Sequence, residues 1–285
     1  MTKILLKTTI PTTEDDWHIG RFSMLKAHLE QAGHTVTAKD REQDAQGDDL
    51  DLAALADGAW DQLWLFAVDV TGALTKTDVA NIKRFRENGG GTLLTRDHQD
   101  MGACLTKLGL VGAAHNFHSV NPEIDESRRC RDDPDTTEIS WPNYHSGANG
   151  DAQHITVVEP LHPIMIRPGT HDEAIQFLPS HPHEGAVSVP QGAERIAQVI
   201  ATGKSKVTGV PFKLAIAFEA HEEDGVRLGR ALAASTFHHF CDYNLDTDSG
   251  APSFVSEPPS DGLKRNPQAR ADALAYYANI ARWLD

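Results

Sequence analysis

The chain has 285 residues, 40% of them apolar, enough to bury a sizeable core and to exclude intrinsic disorder. Asp and Glu number 41 against 26 Lys and Arg, a net charge of −15 with His neutral, and no basic stripe interrupts this acidity. Nucleic acid and anionic membrane surfaces are therefore poor partners, and no run approaches the ~20 apolar residues of a membrane span.

Met1-Thr2-Lys3 followed by Ile4-Leu5-Leu6 reads as the start of a strand over 3–10 rather than as a secretory leader. Apolar spacing through Phe22, Leu25, Leu29 and Ala32 predicts a helix over 20–32, stopped by Gly33. A short strand over 35–38 follows. The continuous apolar run over 61–68, with Leu63, Trp64, Leu65 and Phe66, suits a parallel strand buried on both faces. Val79, Ile82 and Phe85 share one face of a helix over 77–88; Gly89-Gly90-Gly91 breaks it and opens a strand over 91–95. This alternation predicts an α/β fold with a central, mostly parallel sheet and helices on both faces.

Residues 116–150 change character. A polar, proline-punctuated stretch over 121–135 and the segment Trp141-Pro142-Asn143-Tyr144-His145 form a long excursion, either an active-site lid or an exposed loop. Strands over 154–158, 174–178, 195–202, 212–220 and 230–236, joined by short turns, suggest an antiparallel extension of the sheet. A Pro- and Ser-rich loop over 249–266 near the site and a closing helix over 268–284 complete a single domain of 1–285.

Several segments carry a family likeness: the opening strand over 3–9 leading into a helix, Gly89-Gly90-Gly91-Thr92-Leu93-Leu94-Thr95, His162-Pro163-Ile164, and Gly229-Arg230 through Ser235-Thr236-Phe237-His238. The closing helix ending in Arg282-Trp283 adds to them. Through these the chain resembles the ThuA-like (trehalose-utilisation) family of the class I glutamine amidotransferase-like superfamily. The resemblance implies a flavodoxin-like fold and a link to sugar metabolism. Amidotransferases of that superfamily expose a catalytic thiol in a Gly-x-Cys-x-Gly turn beside helix N–H groups. This chain has Leu94-Thr95-Arg96-Asp97-His98-Gln99-Asp100 there, without cysteine, so glutamine hydrolysis by that route is not expected.

Histidine, fifteen in all, is the side chain best suited to move protons near neutral pH or to ligate a transition metal. Asp97-His98 falls at the carboxyl end of a predicted parallel strand, where such folds place function; the plainer alternative is a helix cap at Asp97 with His98 solvated. His181-Pro182-His183-Glu184 puts two imidazoles on one side of an extended backbone, a common way to present metal ligands, with Glu184 as third ligand or base. A hydrogen-bonded loop explains that segment equally well. In His238-His239 one imidazole is expected to act as acid/base or to bind substrate and the other to pack between Phe237 and Phe240. Trp141 and His145 on the excursion, with Asp242 and Asn244 downstream, are the candidate substrate-binding residues, although a structural anchor for the long loop explains Trp141 equally well.

Cys104, Cys130 and Cys241 form no CxxC pair, which suits a reduced, cytoplasmic setting and no disulfide framework. Gly203-Lys204-Ser205 lacks the first glycine of a phosphate-binding loop, since Gln198 stands at that position. Asp15-Asp16 and Asp48-Asp49-Asp51 read as exposed acidic turns, and Arg128–Asp133 as a solvated charged loop. The leading expectation is an enzyme acting on a small polar substrate, foremost a sugar derivative, by His/Asp acid–base chemistry. A divalent metal (zinc, iron or manganese) is the optional cofactor, and no nucleotide is expected. Two rivals stand: a non-catalytic ligand-binding or assembly module, and a hydrolase with Cys104 or Cys241 as nucleophile. A homo-oligomer is left open.

Overall fold

The computed structural model describes residues 1–12, 17–70, 72–121 and 138–285. Asp15-Asp16, Cys130, the Arg128–Asp133 stretch and much of the 116–150 excursion lie outside the described residues. In chain order the elements are β1 (Lys3–Thr8), α1 (Ser23–Gln31), β2 (Thr35–Lys39), α2 (Leu50–Ala53), β3 (Gln62–Phe66), α3 (Lys76–Glu87), β4 (Gly91–Thr95) and α4 (Gly109–Ala113). The second half holds β5 (Ala152–His154), β6 (Thr156–Val157), β7 (Phe177–Pro179), β8 (Ala197–Lys204), β9 (Pro211–Phe218), β10 (His221–Glu223), β11 (Val226–Leu228) and β12 (Ala231–Ala234). It ends in α5 (Asp242–Leu245), α6 (Gly262–Arg265) and α7 (Pro267–Trp283). Among the described residues no helix is long and apolar enough to cross a membrane.

The main sheet runs β2-β1-β3-β4-β12-β9-β8-β6. Its first five strands are parallel. Numbered by first appearance on that side, they follow the flavodoxin-like order 2-1-3-4-5. From β12 onward β9, β8 and β6 pair antiparallel. The fold is thus α/β with an antiparallel extension, as the strand patterns predict.

Apolar strands buried on both faces divide their residues by parity. Ile4, Leu6, Trp64, Phe66, Leu93 and Leu232 face α1 and α7 in one core. Leu5, Leu63, Leu65, Leu94, Ala231 and Ala233 face α3 and α4 in the other. Burying Ile82 and Phe85 of α3 contributes about 1.5–3 kcal/mol each. The Thr75–Asp78 capping box at the start of that helix adds about 1 kcal/mol, so packing dominates.

Three details depart from the sequence pattern. The helix expected over 20–32 opens as a 3₁₀ turn, Ile19–Phe22, and becomes α-helical only at Ser23. The β10–β11 hairpin was not anticipated, and β5 pairs with β7 outside the main sheet. The strand expected over 230–236 does not continue the antiparallel extension on both sides; one edge lies parallel to β4. Gly229 permits that approach, because a Cβ there would sit 2.5 Å from the Gly90 carbonyl oxygen and 2.6 Å from that of Gly89.

The acidic turn at 48–51 is not an exposed surface feature. Lys7 of β1 is fully buried, and its ammonium lies 3.0 Å from Asp49 and 2.5 Å from Asp51 and donates to the Asp40 carbonyl. Asp49 is itself buried and accepts from the Asp51 and Leu52 amides at the start of α2. Removing the ammonium would strand the Asp49 charge, so Lys7→Met is expected to cost about 3 kcal/mol. Lys26→Met, which breaks the exposed pair with Glu30, should cost at most about 0.5 kcal/mol. Urea unfolding of both variants checks this, and equal losses would deny the buried pair its role.

Candidate functional site

The carboxyl ends of the parallel strands converge on one cavity of about 370 Å³. Ile10 follows β1, Val68 follows β3, Asp97 and His98 follow β4, and Phe237 and His238 follow β12; all line it. His181, His183 and Asn149 come from the loops beside β5 and β7, and Phe254 to Glu257 from the loop before α6. Trp17, Met101, Glu138, Ile139 and Tyr243 complete the wall.

Asp97 is the centre of this constellation and is 1% exposed. One carboxylate oxygen accepts from the Thr236 hydroxyl at 3.1 Å and lies 3.8 Å from His181 Nε2. The other lies 2.9 Å from His98 Nδ1 and 3.3 Å from His238 Nε2. Burial pushes this carboxyl up, but the facing His98 and His238 imidazoles win and hold it well below the usual carboxylate range. Burial lowers His181 well below the ordinary imidazole value, with His238 adding to the effect and Asp97 opposing it. His238 is lowered by burial, again against Asp97. Burial thus disfavours the charged form of His181 and His238, while Asp97 is held towards its ionised form.

Three of the imidazoles are held from behind. His181 Nδ1 lies 2.9 Å from Asn149 Oδ1, and His238 Nδ1 lies 2.7 Å from the Tyr243 hydroxyl. His183 Nδ1 is 3.0 Å from Asn143 Oδ1, and its Nε2 is 2.9 Å from Glu257. The His181 and His238 rings stack with centroids 3.4 Å apart. The loop carrying His181 and His183 lies directly on the strand ends, and Gly185 makes this possible. A Cβ there would sit 2.4 Å from both the Asp97 and Ser235 carbonyl oxygens. Further back, Asp272 of α7 makes a two-point contact with Arg167, at 2.8 and 2.9 Å, and accepts from the Gln176 amide. This ties the segment leading into β7 to the closing helix.

The residues singled out in the sequence divide sharply. Asp97, His98, His181, His183 and His238 meet in the cavity. Glu184 and His239 do not: both are fully buried and pair with each other at 3.1 Å. Glu184 also accepts from Ser146 and Gln153, while Tyr144 and Glu184 exchange backbone hydrogen bonds. They anchor the histidine loop. Asp242 caps α1, accepting from the Ser23 and Met24 amides at 3.0 and 2.8 Å and from the Ser23 hydroxyl. Asn244 donates to the Ser180 carbonyl at 2.6 Å, one residue before His181.

Trp141 donates its indole N–H to Tyr144 and faces a second cavity with Tyr144, Val187 and Phe212. His145, whose carbonyl accepts from the Lys206 amide, is not among the lining residues of the imidazole cavity. In place of Trp141 that cavity has Trp17, packed on Phe237 at 5.2 Å and on Phe254 at 6.4 Å. Trp17, Asn149, Tyr243, Phe254 and Glu257 were not assigned a role from sequence. Only the placement of the 249–266 loop near the site signalled any of them.

Both described cysteines are buried, and burial holds each thiol well above its ordinary value. Cys104 donates to Asp69, and neither thiol lines the imidazole cavity, which leaves a cysteine nucleophile without support. Arg96 is fully buried over the Phe117 ring at 4.1 Å, and burial brings its guanidinium down to about 9.

No family model matches the chain, and no curated protein matches it. Among solved structures it is similar to a ThuA-like protein from Parabacteroides merdae, at 15% identity and TM-score 0.40, covering 82% of this chain and 78% of that one. It is also similar to the glutaminase domain of Trypanosoma brucei CTPS with bound acivicin, at 13% identity and TM-score 0.45, covering 99% of this chain and 94% of that one. The fold class rests on strand order and register rather than on these similarities.

Not every buried histidine serves the cavity. His115 is fully buried with its ring nitrogens 3.3–3.4 Å from the Leu94 and Gly112 carbonyl oxygens; burial, reinforced by Arg96, lowers it to about 4. His162 accepts from the Ile164 amide, packs 4.9 Å from Trp283, and is also lowered by burial to about 4. A His titrating near 6.5 when unfolded and near 4 when folded stabilises the fold fully above about pH 6.5. That contribution is lost as pH falls towards 4, about 3 kcal/mol for His115. His115→Gln should therefore flatten the fall in stability across that window, measured by urea unfolding at several pH values. An unchanged slope would exclude His115 as a source.

Proposed function

We propose that the protein is an enzyme that takes a small polar substrate, a sugar or sugar derivative, into the imidazole cavity and moves protons on it. The observation that carries this reading is the convergence of four imidazoles and three carboxylates, Asp97, Glu138 and Glu257, in one cavity at the strand ends. Its volume of about 370 Å³ falls within the range of small-molecule sites. One wall is aromatic, from Trp17, Phe237 and Phe254, and the other is ionisable. Sugars present just such a pair of surfaces, C–H faces that lie on aromatic rings and hydroxyls that take hydrogen bonds. The resemblance of the glycine-rich and Gly229–His238 segments to a family linked to sugar metabolism supports the same substrate class.

The four imidazoles are not equivalent. The His98 side chain is 20% exposed, whereas those of His181, His183 and His238 are 6–7% exposed. His98 is thus the imidazole best placed to meet substrate. Asp97 contacts its Nδ1 and leaves the other ring nitrogen for proton transfer. His183, paired with Glu257, is the second proton carrier. Tyr243 and Thr236 act as positioning residues, the first through His238 and the second on Asp97 directly.

The test is a panel of sugars, sugar acids and keto-sugars, read by thermal shift and by NMR of the mixture over time. At least one member should raise Tm and be consumed, and His98→Ala should cut kcat by about 100-fold or more with Tm little changed. Saturable binding without consumption would instead establish a non-catalytic binding module. A panel without any shift would remove the sugar reading.

A further inference from the structure

We propose that Asp97, His181 and His238 form a binding site for a first-row divalent metal ion, zinc or a close relative, whose free coordination position faces the cavity. This inference rests on the cavity being the functional site and assigns it a cofactor.

The geometry is the argument. One ligand atom from each of the three residues lies within 4.8 Å of the others, and all three residues are buried. Ligand atoms about 2 Å from a tetrahedral zinc are about 3.3 Å apart. The carboxylate of Asp97 stands 3.3 Å from His238 Nε2 and 3.8 Å from His181 Nε2. At 3.8 Å His181 makes no hydrogen bond to that carboxylate, whichever ring nitrogen carries the proton. Two electron-rich atoms therefore flank a gap that a small cation would bridge.

The far side of each imidazole is equally suited. Metal-binding histidines orient their ligating nitrogen by donating the other N–H to an oxygen. His181 Nδ1 faces the Asn149 amide oxygen, and His238 Nδ1 faces the Tyr243 hydroxyl, which can accept as readily as donate. Two imidazoles and one carboxylate with an open position suit zinc, iron(II) or manganese. A metal bound there would polarise an oxygen of the substrate beside His98.

This ligand set differs from the His181-His183-Glu184 group suggested by sequence. Glu184 is consumed by Ser146, Gln153 and His239, and His183 by Asn143 and Glu257.

The experiment is a titration of the chelator-treated full chain with zinc by calorimetry, and with cobalt(II) by visible absorption, in the absence of any sugar. The parent should bind one equivalent and give the intense cobalt spectrum of a low-coordinate site. Asp97→Asn and His181→Ala should each weaken binding at least 100-fold, and Asn149→Ala, which keeps every ligand, by 10–100-fold. His183→Ala should stay within about threefold of the parent. Circular dichroism shows which variants fold; if His181→Ala does not, Asp97→Asn and Asn149→Ala decide. Absence of saturable binding by the parent overturns the proposal, as does parent-like affinity in Asp97→Asn, or a loss in His183→Ala as large as in His181→Ala. The sugar panel run on metal-free and zinc-loaded protein separates the two readings. Sugar binding without zinc affinity would sink only the metal site, and zinc affinity without sugar binding only the substrate class.

Discussion

A single negative charge, held almost out of reach of water at the end of β4, dictates the layout around it. Desolvation alone would return the proton to Asp97, and what prevents this is the set of groups around it: His98 from the same turn, and His238 and Thr236 after β12. Those residues are up to 141 positions from Asp97 in the chain. The charge is thus satisfied only when β4 and β12 lie side by side. Site assembly and tertiary structure are one event.

Around that centre the structure places a supporting layer with little direct access to the cavity. Glu184 and His239 pin the histidine loop from below, Asn244 holds the residue before His181, and Asp242 fixes the start of α1 beneath the same loops. The two imidazole–carboxylate systems share residue types and lie near each other in sequence, yet they differ in setting. The Asp97 group opens to a cavity, while the Glu184–His239 pair is closed by Ser146, Gln153 and Ser235. Access to a ligand, rather than residue type, distinguishes a group that can act from one that braces.

The parallel half of the sheet was legible because its central strands carry apolar runs and are punctuated by Gly33 and Gly89–Gly91. Patterns of that kind have one physical solution, burial on both faces. Asp97-His98 and the His181-x-His183 pair were legible for a similar reason, since strand-end position and two-residue spacing constrain direction without reference to distant partners. Glu184, Asp242 and Asn244 were misleading because their partners, Ser146, Gln153, Ser23 and Ser180, are far away in the chain, whereas His239 takes the packed role expected of one member of its pair. A polar side chain looks functional in one dimension when its structural partner is out of sight. Lys7 repeats the lesson: Asp49 and Asp51 look like surface acids until the ammonium 42 and 44 positions earlier is seen to lie against them. Trp17 and Phe254 were missed for the converse reason, as nothing local says which aromatic residues will face a cavity.

The hydrogen atom that stands in for a side chain at Gly185 divides the cavity into a part that tolerates change and a part that does not. Pinched between the carbonyls of Asp97 and Ser235, this residue locks the depth at which His181 and His183 enter. Any bulk added there would lift the whole loop and shift both imidazoles together. The opposite rim has no such lock: Phe254 is 61% exposed, and its neighbours Val255 and Ser256 lie in a loop of turns and bends. Substitution at the 254–257 rim can therefore reshape the cavity mouth, while Gly185 fixes the floor on which His181 and His183 stand.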